Sequence, residues 1–205
     1  MRIVIPFKAS NPKSRLSNVM SREEREEFAK LMLLDILDVL KSFDYDIKVI
    51  TPVHFEVENA RVCVDSRSLD DCINDELRDV PVAVIMSDLP LLNEKVLRRF
   101  FNTRGDIVIA PGRRGGTNML LVRKKGFKVS YHYGSFLKHI RIAKELGFSY
   151  EVFDSFYSSI DIDDEEDLLE LMLHGEGKRS KRYLEDIGFS VLFEKEPRLI
   201  RNLFK

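Results

Sequence analysis

Asp88 ends the apolar run Pro81-Val82-Ala83-Val84-Ile85-Met86-Ser87 and is followed by Leu89 and Pro90. A carboxylate there stands at the carboxyl end of a buried strand, the edge where open α/β sheets gather their ligands. Mg²⁺ is a hard cation that one or two carboxylates hold together with phosphates. The other reading of Asp88 is a turn cap ahead of Pro90. Asp161 and Asp163, in Ile160-Asp161-Ile162-Asp163, share one side of an extended segment because side chains alternate. Three such carboxylates could hold one or two Mg²⁺ ions and neutralise phosphates during transfer. Asp163 or Asp164 could instead cap the next helix, whose dipole Glu165, Glu166 and Asp167 complement.

A basic loop, Phe7 to Asn18, carries Lys8, Lys13 and Arg15 between the first strand and the first helix. Free backbone N–H groups and a helix N-terminus make that place an anion site, and lysine and arginine add charge-assisted bonds to phosphate. The loop holds neither a G-x-x-x-x-G-K-[ST] nor a G-x-G-x-x-G pattern. A second loop, Gly112 to Asn118, combines glycines with the donors Arg113, Arg114, Thr117 and Asn118; it reads either as a ligand cradle or as a flexible hairpin turn. Ser135, after Tyr131-His132-Tyr133-Gly134, either caps a helix or helps its N-terminus receive a carboxylate or phosphate.

The elements that must position these residues alternate. Strands are expected at 2–6, 47–51, 61–64, 82–87, 106–110, 119–122, 150–153 and 160–163. Helices are expected from Ser21 to Leu40 behind a Ser-x-x-Glu capping box, at 68–77, from Asn93 to Phe101, at 135–146 and at 164–173. This order implies an α/β fold, a mostly parallel sheet with helices on both faces. After Gly175-Glu176-Gly177 the pattern weakens to one basic helix, 178–187, and an apolar stretch, 191–193. Residues 1–174 are therefore read as the main domain and 175–205 as a small appendage, a candidate for oligomerisation.

The chain has 205 residues, 44% of them hydrophobic, enough for a core without disulfides or a structural metal. Its net charge of −1 argues against a general affinity for nucleic acid or anionic membrane. No run of about 18 apolar residues appears, so a soluble cytoplasmic protein is expected. Cys63 and Cys72 have no zinc-type spacing, and the four histidines form no HExxH pair. His139, one turn after Ser135, reads as a packing or surface residue.

Taken in order, these segments resemble the 2-phospho-L-lactate (or phosphoenolpyruvate) guanylyltransferases of coenzyme F-420 biosynthesis. The resemblance is carried by Ile5-Pro6-Phe7-Lys8, Lys13-Ser14-Arg15-Leu16, Ser87-Asp88-Leu89-Pro90-Leu91-Leu92, Gly115-Gly116-Thr117-Asn118-Met119-Leu120-Leu121, Gly134-Ser135-Phe136 with His139, and Ile160-Asp161-Ile162-Asp163. It implies a nucleotide-diphospho-sugar transferase-like, Rossmann-like fold and attack of a phosphorylated three-carbon acid on the α-phosphorus of GTP. By the same resemblance, Asp88, Asp161 and Asp163 are the Mg²⁺ ligands. Thr117, Gly134 and Ser135 cradle the acid, with the glycine's role falling to position 134 or to 132, where this chain has His132. Lys8, Lys13 and Arg15 hold the GTP phosphates, Lys13 and Arg15 together with Asp88 being the catalytic set. Asp70, in Ser68-Leu69-Asp70, is a candidate reader of guanine or a helix cap. A homodimer is expected. Molybdenum-cofactor guanylyltransferases and isoprenoid cytidylyltransferases are disfavoured, because their first loop is glycine-rich and residues 7–16 contain no glycine. The alternatives are a related nucleotidyltransferase for phosphoenolpyruvate or another phosphorylated acid, and a non-catalytic nucleotide-binding assembly module.

Overall fold

The computed structural model describes residues 1–202 and is built on a seven-stranded sheet in the order β3-β2-β1-β4-β6-β5-β7. The strands are β1 (Arg2–Pro6), β2 (Asp46–Thr51), β3 (Arg61–Val64), β4 (Val82–Ile85), β5 (Ile107–Pro111), β6 (Thr117–Val122) and β7 (Tyr150–Val152). Neighbours are parallel except where β6 pairs with β4 and with β5. The sheet is thus mixed and mostly parallel, as expected. Its helices are α1 (Arg22–Leu40), α2 (Leu69–Glu76), α3 (Glu94–Asn102), α4 (Ser135–Glu145), α5 (Phe156–Ser159), α6 (Glu165–His174) and α7 (Arg179–Asp186).

The continuous apolar runs exist because both faces are covered. Ile3, Ile5, Ala83, Ile85, Leu121 and Met119 meet Phe28, Leu33 and Leu37 of α1 and Leu97 and Phe100 of α3 on one side. Val4, Val82, Val84, Leu120 and Val122 meet Cys72 and Ile73 of α2 and Ala143 of α4 on the other. Each fully buried leucine or isoleucine contributes about 2 kcal/mol of hydrophobic stabilisation. Among the described residues no helix is long and apolar enough to cross a membrane.

Local chemistry sets the helix starts. Ser21 and Glu24 form the expected capping box of α1, and Ser68 and Asn93 cap α2 and α3. Asp164, not Asp163, caps α6, in a second capping box with Asp167, which frees Asp163 for other partners. Gly134, in the left-handed region at φ 67°, occupies the cap position of α4, so Ser135 is the first helical residue and does not cap.

Two expectations change. Residues 160–163 are extended but pair with no strand among the described residues: they follow the short α5, and Ile162 N donates to Asp88 O at 3.0 Å. The alternation itself persists, with Ile160 and Ile162 fully buried between the two carboxylates. The segment after Gly177 contributes α7 and an antiparallel hairpin of β8 (Phe189–Phe193) and β9 (Pro197–Arg201), whose second strand the sequence pattern did not reveal. Leu184 and Phe189 join the main core. Asp35 of α1 accepts from Arg179 N at 2.7 Å and Ser180 N at 3.1 Å, and Arg201 pairs with Glu24. Residues 203–205 of the expected appendage lie outside the described residues.

Candidate active site

The loop after β1 is shaped by α1. Arg25, buried on α1, donates through Nη1 to Pro12 O at 2.6 Å and Asn11 Oδ1 at 3.1 Å, while Glu26 accepts from Asn11 N at 3.0 Å. These bonds hold Lys13 in the left-handed region (φ 52°, ψ 49°), a conformation that costs a lysine about 1–2 kcal/mol. The result is an inward-pointing ammonium. Lys13 Nζ lies 2.6 Å from Asp88 Oδ2 and 2.8 Å from Asp163 Oδ1, and Arg15 Nη1 reaches Asp163 Oδ2 at 3.2 Å. Residues 75 and 150 positions from Lys13 in sequence therefore meet at one point.

The electrostatics follow from that cage. Burial opposes the charge on Lys13, yet Asp88 and Asp163 outweigh it and hold the ammonium above its usual 10.5. Burial likewise opposes ionisation of Asp163, and Lys13 and Arg15 override it, leaving its carboxyl below the usual range. Asp161 is the exception. Burial raises its pKa, the Asp88 charge raises it further, and the bond from Asn118 Nδ2 at 3.1 Å only partly compensates.

This imbalance bears on a cation. Asp88 Oδ1 is buried with no hydrogen-bond partner, an arrangement that costs about 1–3 kcal/mol if nothing else meets it. An orphaned carboxylate oxygen beside Asp161, whose charge burial and Asp88 disfavour, is a hard-oxygen donor set that fits Mg²⁺. Among the described residues no three acidic, histidine or cysteine side chains form a ready-made ion cage, and Lys13 stands between Asp88 and Asp163.

The glycine-rich loop is the β5–β6 hairpin and frames the other side. At Gly112 a Cβ would fall 2.5 Å from Asn118 Oδ1, so only glycine leaves room for the Asn118 side chain that also binds Ser158 O. Arg114 pairs with Asp164 and with Asp167 at 2.5 and 3.2 Å, anchoring the hairpin to the start of α6. Phe136 N donates to Gly115 O at 3.2 Å and brings the α4 N-terminus to the same hairpin. Thr117 and Ser135 are buried there, their hydroxyls 3.2 Å apart.

His139 lies beneath them, fully buried, with Nδ1 2.9 Å from Thr117 Oγ1. Burial pushes its imidazole from the usual 6.5 down to about 4, with Asp70 opposing and Lys138 adding to the shift. The unfolded chain thus binds a proton between pH 6.5 and 4 that the folded chain refuses. The contribution is complete above 6.5 and is lost as pH falls, by up to about 1.4 kcal/mol per pH unit. Thermal unfolding should therefore lose stability on acidification across this window, and His139→Gln should flatten the decline. An unchanged slope would remove His139 as its source.

Two further clefts open at the carboxyl ends of β1, β2 and β4. One of 210 Å³ is walled by Lys13, Asp88 and Asp163; one of 390 Å³ is walled by Thr51, Asp65, Leu69 and Met86. Phe7, Lys8 and Ser87 line both, so the exposed Lys8 stands at their junction. Asp70 is not brought to either. Its Oδ1 accepts from Tyr131 N at 2.8 Å, on the side of the Ser135 loop. The carboxylate in the larger cleft is Asp65, clamped by Arg67 Nε and Nη2 at 3.1 and 2.8 Å and held below the usual carboxylate range by it. The sequence pattern did not single out Thr51, the last residue of β2, or Asp65, the residue after β3, although ligands collect at such strand ends. A broader, shallow groove of 980 Å³ beside Arg98, Arg99 and Phe153 contains none of these residues.

The family described as "Guanylyl transferase CofC like" matches residues 1–205. The chain is 61% identical over 204 residues to the 2-phospho-L-lactate guanylyltransferase of Archaeoglobus fulgidus, covering 100% of this chain and 98% of that one. It is 55% identical over 203 residues to the enzyme of the same name from Ferroglobus placidus, covering 98% and 100%. In fold it is similar to a Desulfovibrio desulfuricans protein provisionally named a nucleotide-diphospho-sugar transferase, with TM-score 0.71 at 14% identity over 90% of this chain and 94% of that one. It is also similar to the 2-C-methyl-D-erythritol 4-phosphate cytidylyltransferase of Thermus thermophilus, with TM-score 0.50 at 15% identity over 84% and 95%.

Proposed function

The chain belongs to the CofC-like guanylyl transferase family, and from that premise we propose that it joins GTP to 2-phospho-L-lactate in coenzyme F-420 biosynthesis. The products are lactyl-2-diphospho-5′-guanosine and pyrophosphate. A phosphate oxygen of the acid bonds to the α-phosphorus of GTP as the bond from that phosphorus to the pyrophosphate breaks. The observation that carries the reading is the meeting of Lys13, Asp88 and Asp163, tied by the Asn118–Asp161 bond to the strand that carries Thr117, on a chain matched along its whole length.

The acceptor is already an oxyanion, so no general base has to be found; positioning and charge neutralisation dominate. In this reading Lys8, Lys13 and Arg15 bind the GTP phosphates, and Lys13 and Arg15 offset charge on the departing pyrophosphate. Asp88 and Asp161, with Asp163, would hold Mg²⁺, which when bound neutralises phosphate charge. Thr117, Ser135 and the backbone at Gly134 receive the acid at an α4 N-terminus that no side chain caps. The apolar cleft beside Phe7 and Leu69 suits the base, with Asp65 as an acceptor for guanine N–H groups; Asp70 then serves the Ser135 loop.

Pyrophosphate release measured with GTP, ATP and CTP, each paired with 2-phospholactate, phosphoenolpyruvate or 3-phosphoglycerate, tests the proposal. GTP with 2-phospholactate should be fastest; no release from any pair in the presence of magnesium would sink it. A homodimer and a cytoplasmic location belong to the same proposal. Leu192 and Phe193 on the outer hairpin, 40% and 75% exposed, are the candidate dimer surface, and a monomeric sedimentation coefficient would remove the dimer.

A further inference from the structure

The hydrogen-bond polarity around His139 has a single solution. Ser130 N is a backbone donor, and it points at His139 Nε2 at 3.0 Å. Nε2 must therefore accept, and a neutral imidazole with a bare Nε2 carries its proton on Nδ1. That Nδ1–H faces Thr117 Oγ1 at 2.9 Å, so Thr117 accepts from the ring instead of donating to it. A doubly protonated ring would lose the Ser130 bond, in keeping with a pKa displaced well below the ordinary histidine value. The ring's surroundings reinforce the arrangement: Tyr131 packs edge-on at 5.1 Å and Phe127 at 5.9 Å, leaving the imidazole no exposure to water.

The consequence reaches the next hydroxyl. Ser135 Oγ and Thr117 Oγ1 share one hydrogen bond and bring two hydroxyl hydrogens. One hydrogen is used between them. Because His139 supplies a hydrogen and takes none, the other is not used within the group, so the pair is left with one donor to spare. Had the ring been the other tautomer, Thr117 would spend its hydrogen on the imidazole and the pair would have no donor left for a ligand.

We propose that His139 is a positioning residue: through the Nδ1–H tautomer imposed by Ser130 N–H, it polarises the Thr117–Ser135 pair so that one hydroxyl donates to an anionic oxygen of the phosphorylated acid. The inference rests on the guanylyl-transfer reading for the identity of the acid, but not for the direction of the hydrogen bonds. Its ligand chemistry is specific. A carboxylate or phosphate oxygen is an acceptor only and is satisfied by this site; a ligand presenting a donor there is not.

Two amide substitutions separate the two ring nitrogens. His139→Asn places an N–H near the position of Nδ1 and keeps a donor toward Thr117. His139→Gln places its amide near the position of Nε2, keeps the bond to Ser130 N, and withdraws the donor from Thr117. With acid varied at saturating GTP, His139→Gln should raise the KM for the acid by about tenfold, the scale of one hydrogen bond to a charged group. His139→Asn should recover most of that loss, and the KM for GTP should stay within about twofold in both. Equal increases for Asn and Gln, or a parallel rise for GTP, would mean that His139 only supports the fold, and would overturn the proposal. A second measurement needs neither variants nor turnover: ¹⁵N NMR of histidine-labelled wild-type protein should show His139 protonated at Nδ1 and bare at Nε2. An Nε2–H ring overturns the inference whatever the kinetics. Absence of pyrophosphate release from wild-type protein instead overturns the functional reading, so the two failures are distinguishable.

Discussion

Replacing Asp88 by asparagine is expected to lower kcat by about 10³-fold while shifting Tm by only a few degrees. The two effects separate because the side chain and the backbone of this residue do different things. The backbone turns the chain after β4, and Asp88 O receives the Ile162 N–H that seats the Asp161–Asp163 segment. Asparagine keeps both, along with an acceptor for Lys13. What it removes is charge: the Oδ1 that no protein group meets becomes neutral or becomes a donor. Lys13 keeps the Asp163 carboxylate as a charged partner in the variant, which limits the loss of stability. Turnover as a function of magnesium concentration is the deciding measurement. The variant should need more magnesium and still fall short at saturation; activity within tenfold of wild type would return Asp88 to the role of a turn residue.

Lys13→Met is expected to lower kcat/KM for GTP by about 10²–10³-fold. The ammonium is only 10% exposed and is aimed by a left-handed backbone, so Lys13→Arg should not rescue it: a planar fork does not fit where a point charge sits between two carboxylates. The variant also has a pH signature. Asp163 has a depressed pKa in the folded protein, so its contribution to stability is present above the usual carboxylate range and is lost as pH falls through its folded value. Removing Lys13 cancels most of that contribution. The Tm gap between wild type and variant should therefore be widest near neutral pH and should narrow on acidification. A constant gap, or kinetics within threefold of wild type, would show that the cage is structural and that phosphate is held elsewhere.

Much of this was legible from residues alone because it depends on local rules. Ser21-x-x-Glu24 specified the start of α1, and the β-branched apolar run from Val82 to Ile85 reads as a strand covered on both faces. The Gly112–Asn118 loop and the Asp161–Asp163 alternation were visible as patterns, and family resemblance supplied their meaning. Other features were hidden because they depend on partners distant in sequence. Residues 160–163 look like a strand by alternation, yet a strand needs a neighbour to pair with, and only the packed chain shows that none is there. Asp70 and Asp65 are both acidic residues near a helix start; burial and the positions of Tyr131 and Arg67 separate them. His139 read as a packing residue because a tautomer leaves no mark in a sequence.

The amino-acid sequence by itself determined the α/β order and the starts of α1, α2 and α3, and it singled out the candidate residues for phosphate and metal, since these follow from periodicity and side-chain chemistry. Only the tertiary structure decided how those residues share their charges and protons. Lys13 meets Asp88 and Asp163 across 75 and 150 positions. The charge on Asp161 is only partly compensated, and Thr117 is made an acceptor by a ring beneath it. Such assignments depend on distances of about 3 Å in a partly desolvated space, where a Coulomb interaction or a hydrogen-bond direction changes within an ångström. Residue spacing along the chain carries no information at that scale.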